Sequence, residues 1–153
     1  GLHDIAGSQL NDSGALMNIV RPADEMLDLP FWRHLAAGQL HLNRCTSCGT
    51  FRHPPGPCCP KCRAIGNDWA PVSGRATLQS FTTVRHPVHT RLTEAVPYVI
   101  TLVRLEEGPR MVSGIPLGRT YRLEVGMPLQ CEVIRFDDRF ALPYFIPSQE
   151  TPK

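Results

Sequence analysis

The sequence predicts a mainly β protein with one N-terminal helix, a small cysteine-bearing ribbon and a five-stranded barrel. Three observations carry that reading. One short helical pattern is confined to residues 29–38, two Cys-x-x-C pairs stand ten residues apart, and five short β-prone runs follow residue 71. A chain of 153 residues has room for one compact domain or two small ones, and too little for a barrel enzyme or a doubly wound dehydrogenase. At 42% hydrophobic and 20% charged it should bury a core, while 15 prolines and 12 glycines favour short elements and exclude a coiled coil.

Residues 1–28 are polar and aperiodic at the start and read as a flexible segment. Met17 opens a different pattern, so residues 1–16 fit a vector-derived remnant and a linker from an upstream domain equally well. From Leu29, Pro30 marks a helix start, Phe31, Leu35 and Trp32 offer an apolar face, and Gly38 is the stop. That helix must bury its aromatics, either in a partner's groove or on its own ribbon. His41 to Arg44 reads as a brief strand entering the cysteines, and a polar bridge follows Cys62 as far as Trp69 and Pro71. The ribbon unit is therefore expected over 29–70, the barrel over 71–147 and a tail over 148–153.

The barrel strands are expected at Gly74–Val84, Tyr98–Leu105, Arg110–Gly114, Leu129–Phe136 and Arg139–Leu142. Glu106-Glu107-Gly108-Pro109 and Asp137-Asp138 are the tight turns. Leu129, Cys131 and Val133 share one parity whereas Ile134 and Phe136 lie on the other, as a β-bulge would cause. Five such strands with an irregular connection near Ile115–Val125 match the strand count of a small Greek-key barrel of the OB type.

Cys45-Thr-Ser-Cys48-Gly49 and Cys59-Pro60-Lys61-Cys62 form two knuckles, each able to aim two thiolates at one centre. Six cysteines are too few for a disulfide scaffold of this length, so a metal is the first reading. Zinc suits four thiolates, and four protein ligands leave no open position, so the site is expected to be structural. Iron in a rubredoxin-type centre uses similar spacing and stays open as the alternative. Cys58 competes with Cys59, but only Cys59 keeps the two-residue spacing to Cys62. His53 reads as a surface or packing histidine between the knuckles, and Cys131 as a core thiol.

Net charge is +2, and only Lys61 and Lys153 are lysines, so the positive charge is almost all guanidinium. Residues 31–70 carry five basic groups and one acid, but four thiolates around a divalent metal contribute −2, which Arg44, Arg52 and Lys61 can offset. A basic nucleic-acid finger is not indicated. Arg85, His86, His89 and Arg91 lie in the long connection between the first two barrel strands, where Arg85 and Arg91 are candidates for contacting CoA phosphates or an acidic partner. No apolar run reaches the roughly 18 residues of a membrane span, and no charged-then-apolar leader is visible, so a cytoplasmic protein is expected.

The motifs together resemble a known family. Phe31-Trp32-Arg33-His34-Leu35-Ala36-Ala37-Gly38-Gln39-Leu40, Arg44-Cys45-Thr46-Ser47-Cys48-Gly49, Pro54-Pro55 and Cys59-Pro60-Lys61-Cys62 open the resemblance. Pro97-Tyr98-Val99, Glu107-Gly108-Pro109-Arg110, Val125-Gly126-Met127-Pro128 and Leu142-Pro143-Tyr144-Phe145 follow in family order. In this the chain is similar to the acyl-CoA-associated OB-fold proteins with a rubredoxin-like zinc ribbon, domain of unknown function 35, over about Leu29 to Pro147. Arg63 after the last cysteine and the extra Cys58 depart from the pattern.

The resemblance implies an accessory subunit working beside a thiolase-like, acyltransferase, retro-aldolase or hydratase partner that handles acyl-CoA. The catalytic residues would then belong to the partner. In agreement, the chain shows no nucleophile elbow, Gly-rich phosphate loop or interpretable carboxylate pair. The competing reading is a single-stranded nucleic-acid binder, which needs aromatic stacking platforms. The second barrel strand offers only Tyr98 and the third has none. An iron electron carrier is the third.

Overall fold

The computed structural model describes residues 8–10, 16–18 and 27–148. Most of the segment expected to be flexible, and residues 149–153 of the expected tail, lie outside them. Within the former, β1 (Ser8–Leu10) and β2 (Leu16–Asn18) pair antiparallel.

Helix α1 spans Leu29–Ala36, with proline in its first turn and Phe31 and Leu35 buried. Its end is a Schellman motif. Gly38 N–H donates to Leu35 O at 2.8 Å and Gln39 N–H to His34 O at 2.9 Å, with Gly38 at φ 84°. The ribbon is a three-stranded antiparallel sheet in the order β4 (Phe51–Arg52), β3 (His41–Cys45), β5 (Asn67–Pro71). Strand β5 replaces much of the expected polar bridge. Its polar residues suit a strand because β3 supplies their partners: Arg44 donates twice to the Asp68 carboxylate, at 3.1 and 2.8 Å, and Asn43 Nδ2 donates to Asn67 Oδ1 at 2.9 Å.

The barrel comprises β6 (Arg75–Val84), β7 (Tyr98–Leu105), β8 (Arg110–Gly114), β9 (Pro128–Arg135) and β10 (Ala141–Pro147), ordered β10-β9-β6-β7-β8. A 3-10 turn, Thr90–Leu92, lies in the β6–β7 connection. All five expected strands are present, and the sheet nearly closes. Ser113 Oγ on β8 donates to Pro143 O on β10 at 2.7 Å, bridging its two ends.

The expected bulge is in a different strand. The β9–β10 register runs unbroken from Leu129↔Pro147 to Arg135↔Ala141, and the slip falls in β6 between Leu78 and Ser80. The parity change in β9 arises because both its faces are covered. Cys131 and Val133 pack on the main core, while Ile134 packs with Phe136 and Phe140 in a second cluster. Strand β10 also runs beyond the expected Leu142, tolerating Pro143 and Pro147 because it pairs on one side only, with β9.

Helix, ribbon and barrel share one core. Phe31, Leu35, Leu40 and Leu42 belong to the same buried cluster as Leu78, Val103, Leu105, Leu129 and Phe145. The helix therefore covers the barrel as well as its ribbon, and Leu35 is not free for a partner. Trp32 packs on Phe140 with ring centroids 6.0 Å apart. Among the described residues no helix is long and apolar enough to cross a membrane.

Candidate functional site

The two knuckles have the same backbone. Gly49 N–H donates to Cys45 O and Arg63 N–H to Cys59 O, both at 2.9 Å; Cys45 N–H donates to Thr50 O at 2.9 Å and Cys59 N–H to Ala64 O at 2.8 Å. The residue after each second cysteine is left-handed, Gly49 at φ 73° and Arg63 at φ 65°. The first cysteine of each pair, Cys45 and Cys59, is buried and the second, Cys48 and Cys62, is exposed.

All four Sγ atoms lie within 4.8 Å of one another. Cys45 and Cys62 are 3.6 Å apart and Cys48 and Cys59 3.7 Å, close to the edge of about 3.8 Å of a tetrahedron with 2.3 Å metal–sulfur bonds. The donor set therefore fits a tetrahedral metal ion. Cys59, not its neighbour Cys58, joins the cluster.

Local polar groups favour thiolate at two positions. The Thr50 hydroxyl and then its amide lower the Cys48 thiol to about 6, and the Cys62 and Lys61 amides lower that of Cys59. The Ala64 amide lowers Cys62 as well, but Cys45, desolvation and the remaining sulfurs outweigh it and raise Cys62 to about 12. Four thiolates so close repel one another, and a divalent cation at their centre removes that opposition.

Arg63 carries a strain that glycine would not. Left-handed backbone costs a non-glycine residue about 1–2 kcal/mol, part of which is offset by the greater unfolded-state freedom of glycine. Arg63→Gly is therefore expected to stabilise by about 0.5–1 kcal/mol, a Tm rise of roughly 1–4 °C in a thermal melt. Gly49→Ala should lower Tm by a similar amount, and a fall with both substitutions contradicts this reading.

Of the cations expected to offset the thiolate charge, Arg44 is paired with Asp68 and lies over the Phe51 ring, its guanidinium carbon 5.9 Å from the centroid. Lys61 is exposed. Arg52 is buried at 6% exposure, with all three guanidinium nitrogens lacking a hydrogen-bond partner among the described residues. It stands opposite Asn43 on β3, two residues from Cys45.

His53 lies outside the cluster and packs against Phe31 at 5.3 Å; burial lowers its pKa. His41, stacked on His34 at 3.7 Å, is also lowered, by burial and then by His34. Both groups hold fewer protons folded than unfolded. Their contribution to stability is complete above the unfolded value near 6.5 and is lost as pH falls below it. Urea midpoints should drop between pH 7.5 and 5.5, and His53→Gln should flatten that slope; an unchanged slope argues against the assignment.

Arg85, His86 and Arg91 are exposed on the β6–β7 connection, and their side chains have no hydrogen bond or ion pair among the described residues. His89 accepts the Arg91 N–H at its Nδ1, 3.1 Å, which caps the 3-10 turn. Beside this connection is a cleft of about 400 Å³ lined by Phe31, Trp32, Leu92, Met111, Leu142 and Tyr144 among others. Tyr98 lines it too and is half-buried, a poor base-stacking platform. No local sequence signal announces this cleft, because its walls come from elements far apart in the chain. Cys131, expected in the core, is half-buried against it, and burial first, then Glu132, pushes its thiol up to about 12.

A four-cysteine ribbon joined through a common core to a five-stranded OB-type barrel defines the class of protein. Residues 32–64 match the ChsH2 rubredoxin-like zinc ribbon domain and residues 69–133 the ChsH2 C-terminal OB-fold domain. The chain is 36% identical over 122 residues to the probable enoyl-CoA hydratase alpha subunit of Thermomonospora curvata, covering 79% of this chain and 38% of that one. It is 30% identical over 101 residues to a DUF35 domain-containing scaffold protein of Methanocaldococcus jannaschii, covering 65% and 71% respectively. The solved structure of the Ltp2-ChsH2(DUF35) aldolase matches with TM-score 0.72 and 34% identity, over 83% of this chain and 98% of the other. The chain belongs to the DUF35 family. It spans only 38% of the length of the hydratase alpha subunit it matches.

Proposed function

We propose that this chain is a noncatalytic, zinc-binding accessory subunit or domain of an acyl-CoA enzyme complex, one whose partner is a thiolase-like, hydratase or retro-aldolase subunit. The observation that carries this reading is the match over nearly the whole DUF35 chain of the aldolase structure. Cys45, Cys48, Cys59 and Cys62 would hold zinc as four thiolates. Zinc so bound supplies structural cross-linking; with every position taken by protein sulfur, it offers none to substrate. The chain's own residues then hold the ribbon against the barrel, through Leu40 and Leu42 on one side and Phe31 and Leu35 on the other.

Arg85 and Arg91 are the cations proposed to meet CoA phosphates or an acidic partner, since both are exposed and have no side-chain partner among the described residues. Coexpression with the thiolase-like or hydratase subunit tests the reading. Coelution as a stoichiometric complex, with one zinc per chain by elemental analysis, is the expected result. A chain that elutes alone from every such partner, or that carries iron, refutes the corresponding part.

A further inference from the structure

Strand β6 is paired along its whole length on one side only. Towards β7 its register runs from Ala76 to Val84, but towards β9 it stops at Thr77, and the bonds of Leu78 with Gly126 and Met127 end that side. Which groups stay open beyond Leu78 follows from the alternation of an antiparallel ladder. Ile115 N–H donates to Val99 O, so in β7 Val99 and Thr101 bond towards β8, while Tyr98, Ile100 and Leu102 bond towards β6. The residues opposite these three are Val84, Thr82 and Ser80. Phe81 and Thr83 therefore turn their N–H and C=O away from β7, and none of these groups has a hydrogen-bond partner among the described residues. Ser80 to Thr83 are all exposed, Phe81 at 41%. No charge or proline stands between Ser80 and Val84, whereas the end strand β10 carries two prolines.

Two N–H and two C=O groups at strand spacing suit the backbone of another extended chain. The segment's own sequence is self-complementary. Laid antiparallel on itself with Thr82 on a two-fold axis, Phe81 faces Thr83 of the second copy, Ser80 faces Val84, and Thr82 faces Thr82. Every open group is then used, since each of the two Phe81 and Thr83 pairs exchanges two hydrogen bonds. Centring the pairing on Phe81 or on Thr83 forms only one such pair. No like charges oppose each other between Ser80 and Val84, and the two exposed Phe81 rings become diagonal neighbours on one face, within reach of each other. We infer that this open half of the β6 edge is a homodimerisation edge, its occupant the same edge of a second copy in antiparallel register centred on Thr82. Such pairing uses up the edge in both copies, so the association stops at two.

A strand pair of this length is far smaller than a standard interface, so the dimer is expected to be weak and to show in sedimentation equilibrium of the metal-loaded chain at up to roughly 1 mM. Thr82→Lys sets two ammonium groups opposite each other, and Thr83→Pro removes an outward N–H that β7 does not use. Each should weaken the dimer at least about tenfold and leave the far-ultraviolet dichroism unchanged. Cross-linking reads the register. In a Cys58→Ser background, oxidised glutathione should join Thr82→Cys into a disulfide dimer, since a facing pair without mutual hydrogen bonds brings its Cα atoms to about 4.5 Å, within disulfide reach. Ser80→Cys, which would face Val84, should stay largely unlinked.

A wild-type chain that is monomeric throughout that range, a dimer indifferent to both substitutions, or equal cross-linking at residues 80 and 82 overturns the proposal. Each of these results leaves the accessory role intact, because that role is tested by coelution with the partner. If Thr82→Lys and Thr83→Pro spare self-association but weaken binding of the acyl-CoA enzyme subunit, the edge receives a strand from that subunit and the proposal fails.

Discussion

Cys59→Ser is expected to empty the metal site, reduce bound metal from one ion per chain to near zero, and cost at least about 4–5 kcal/mol of stability. For a domain of this size that is a fall in Tm of roughly 10–20 °C. The loss is expected to be large because Cys59 carries its sulfur from the second knuckle, closed by Arg63 N–H to Cys59 O and Cys59 N–H to Ala64 O, to the sulfurs of the first, and an ion held there would cross-link the two. Without the ion, the four thiols keep only one another and local hydrogen bonds such as that between Cys48 Sγ and the Thr50 hydroxyl. Cys58→Ser is the matched control, since Cys58 is exposed and outside the cluster, and it should leave metal content and Tm unchanged. Metal retained equally in the two variants, measured by elemental analysis, would show that Cys58 can take over the role of Cys59.

Leu35→Ala should cost about 2–5 kcal/mol, the range for emptying a filled core position. Leu35 is fully buried between ribbon and barrel, touching the cluster that includes Leu42 from one and Phe145 from the other. The cavity therefore opens at the joint and weakens both parts. Tryptophan fluorescence, reporting Trp32 and Trp69 near the ribbon, and far-ultraviolet dichroism, dominated by the barrel, should shift together in one transition. Separate transitions, or a loss below about 1 kcal/mol, would mean that ribbon and barrel fold independently.

The barrel strands were legible because each is a β-branched or alternating run closed by a turn, as Tyr98–Leu105 is by Glu106 to Pro109. The helix was legible down to its glycine stop, and the four-cysteine cluster followed from spacing alone. Strand β4 was missed because two residues carry no period. Strand β5 was missed because Asn67 and Asp68 look like loop residues until Asn43 and Arg44 are placed across from them. Phe31, Trp32 and Leu35 are legible as a face and its cover by the ribbon was one of the two readings, but its cover by the barrel was not, since Phe140 and Phe145 lie a hundred residues on. The burial of Arg52 had no sequence signal, because it depends on which side of a two-residue strand faces inward.

The prolines of β10 bear on what the molecule avoids. Pro143 and Pro147 have no amide hydrogen, and the Pro143 carbonyl is already engaged by Ser113 across the gap between the end strands. A foreign β-segment seeking to extend the sheet there meets a boundary that lacks two of its donors and is partly occupied on its acceptor side. Growth into a stacked fibril or a runaway ladder is thereby discouraged at the place where an incompletely shut cylinder is most vulnerable.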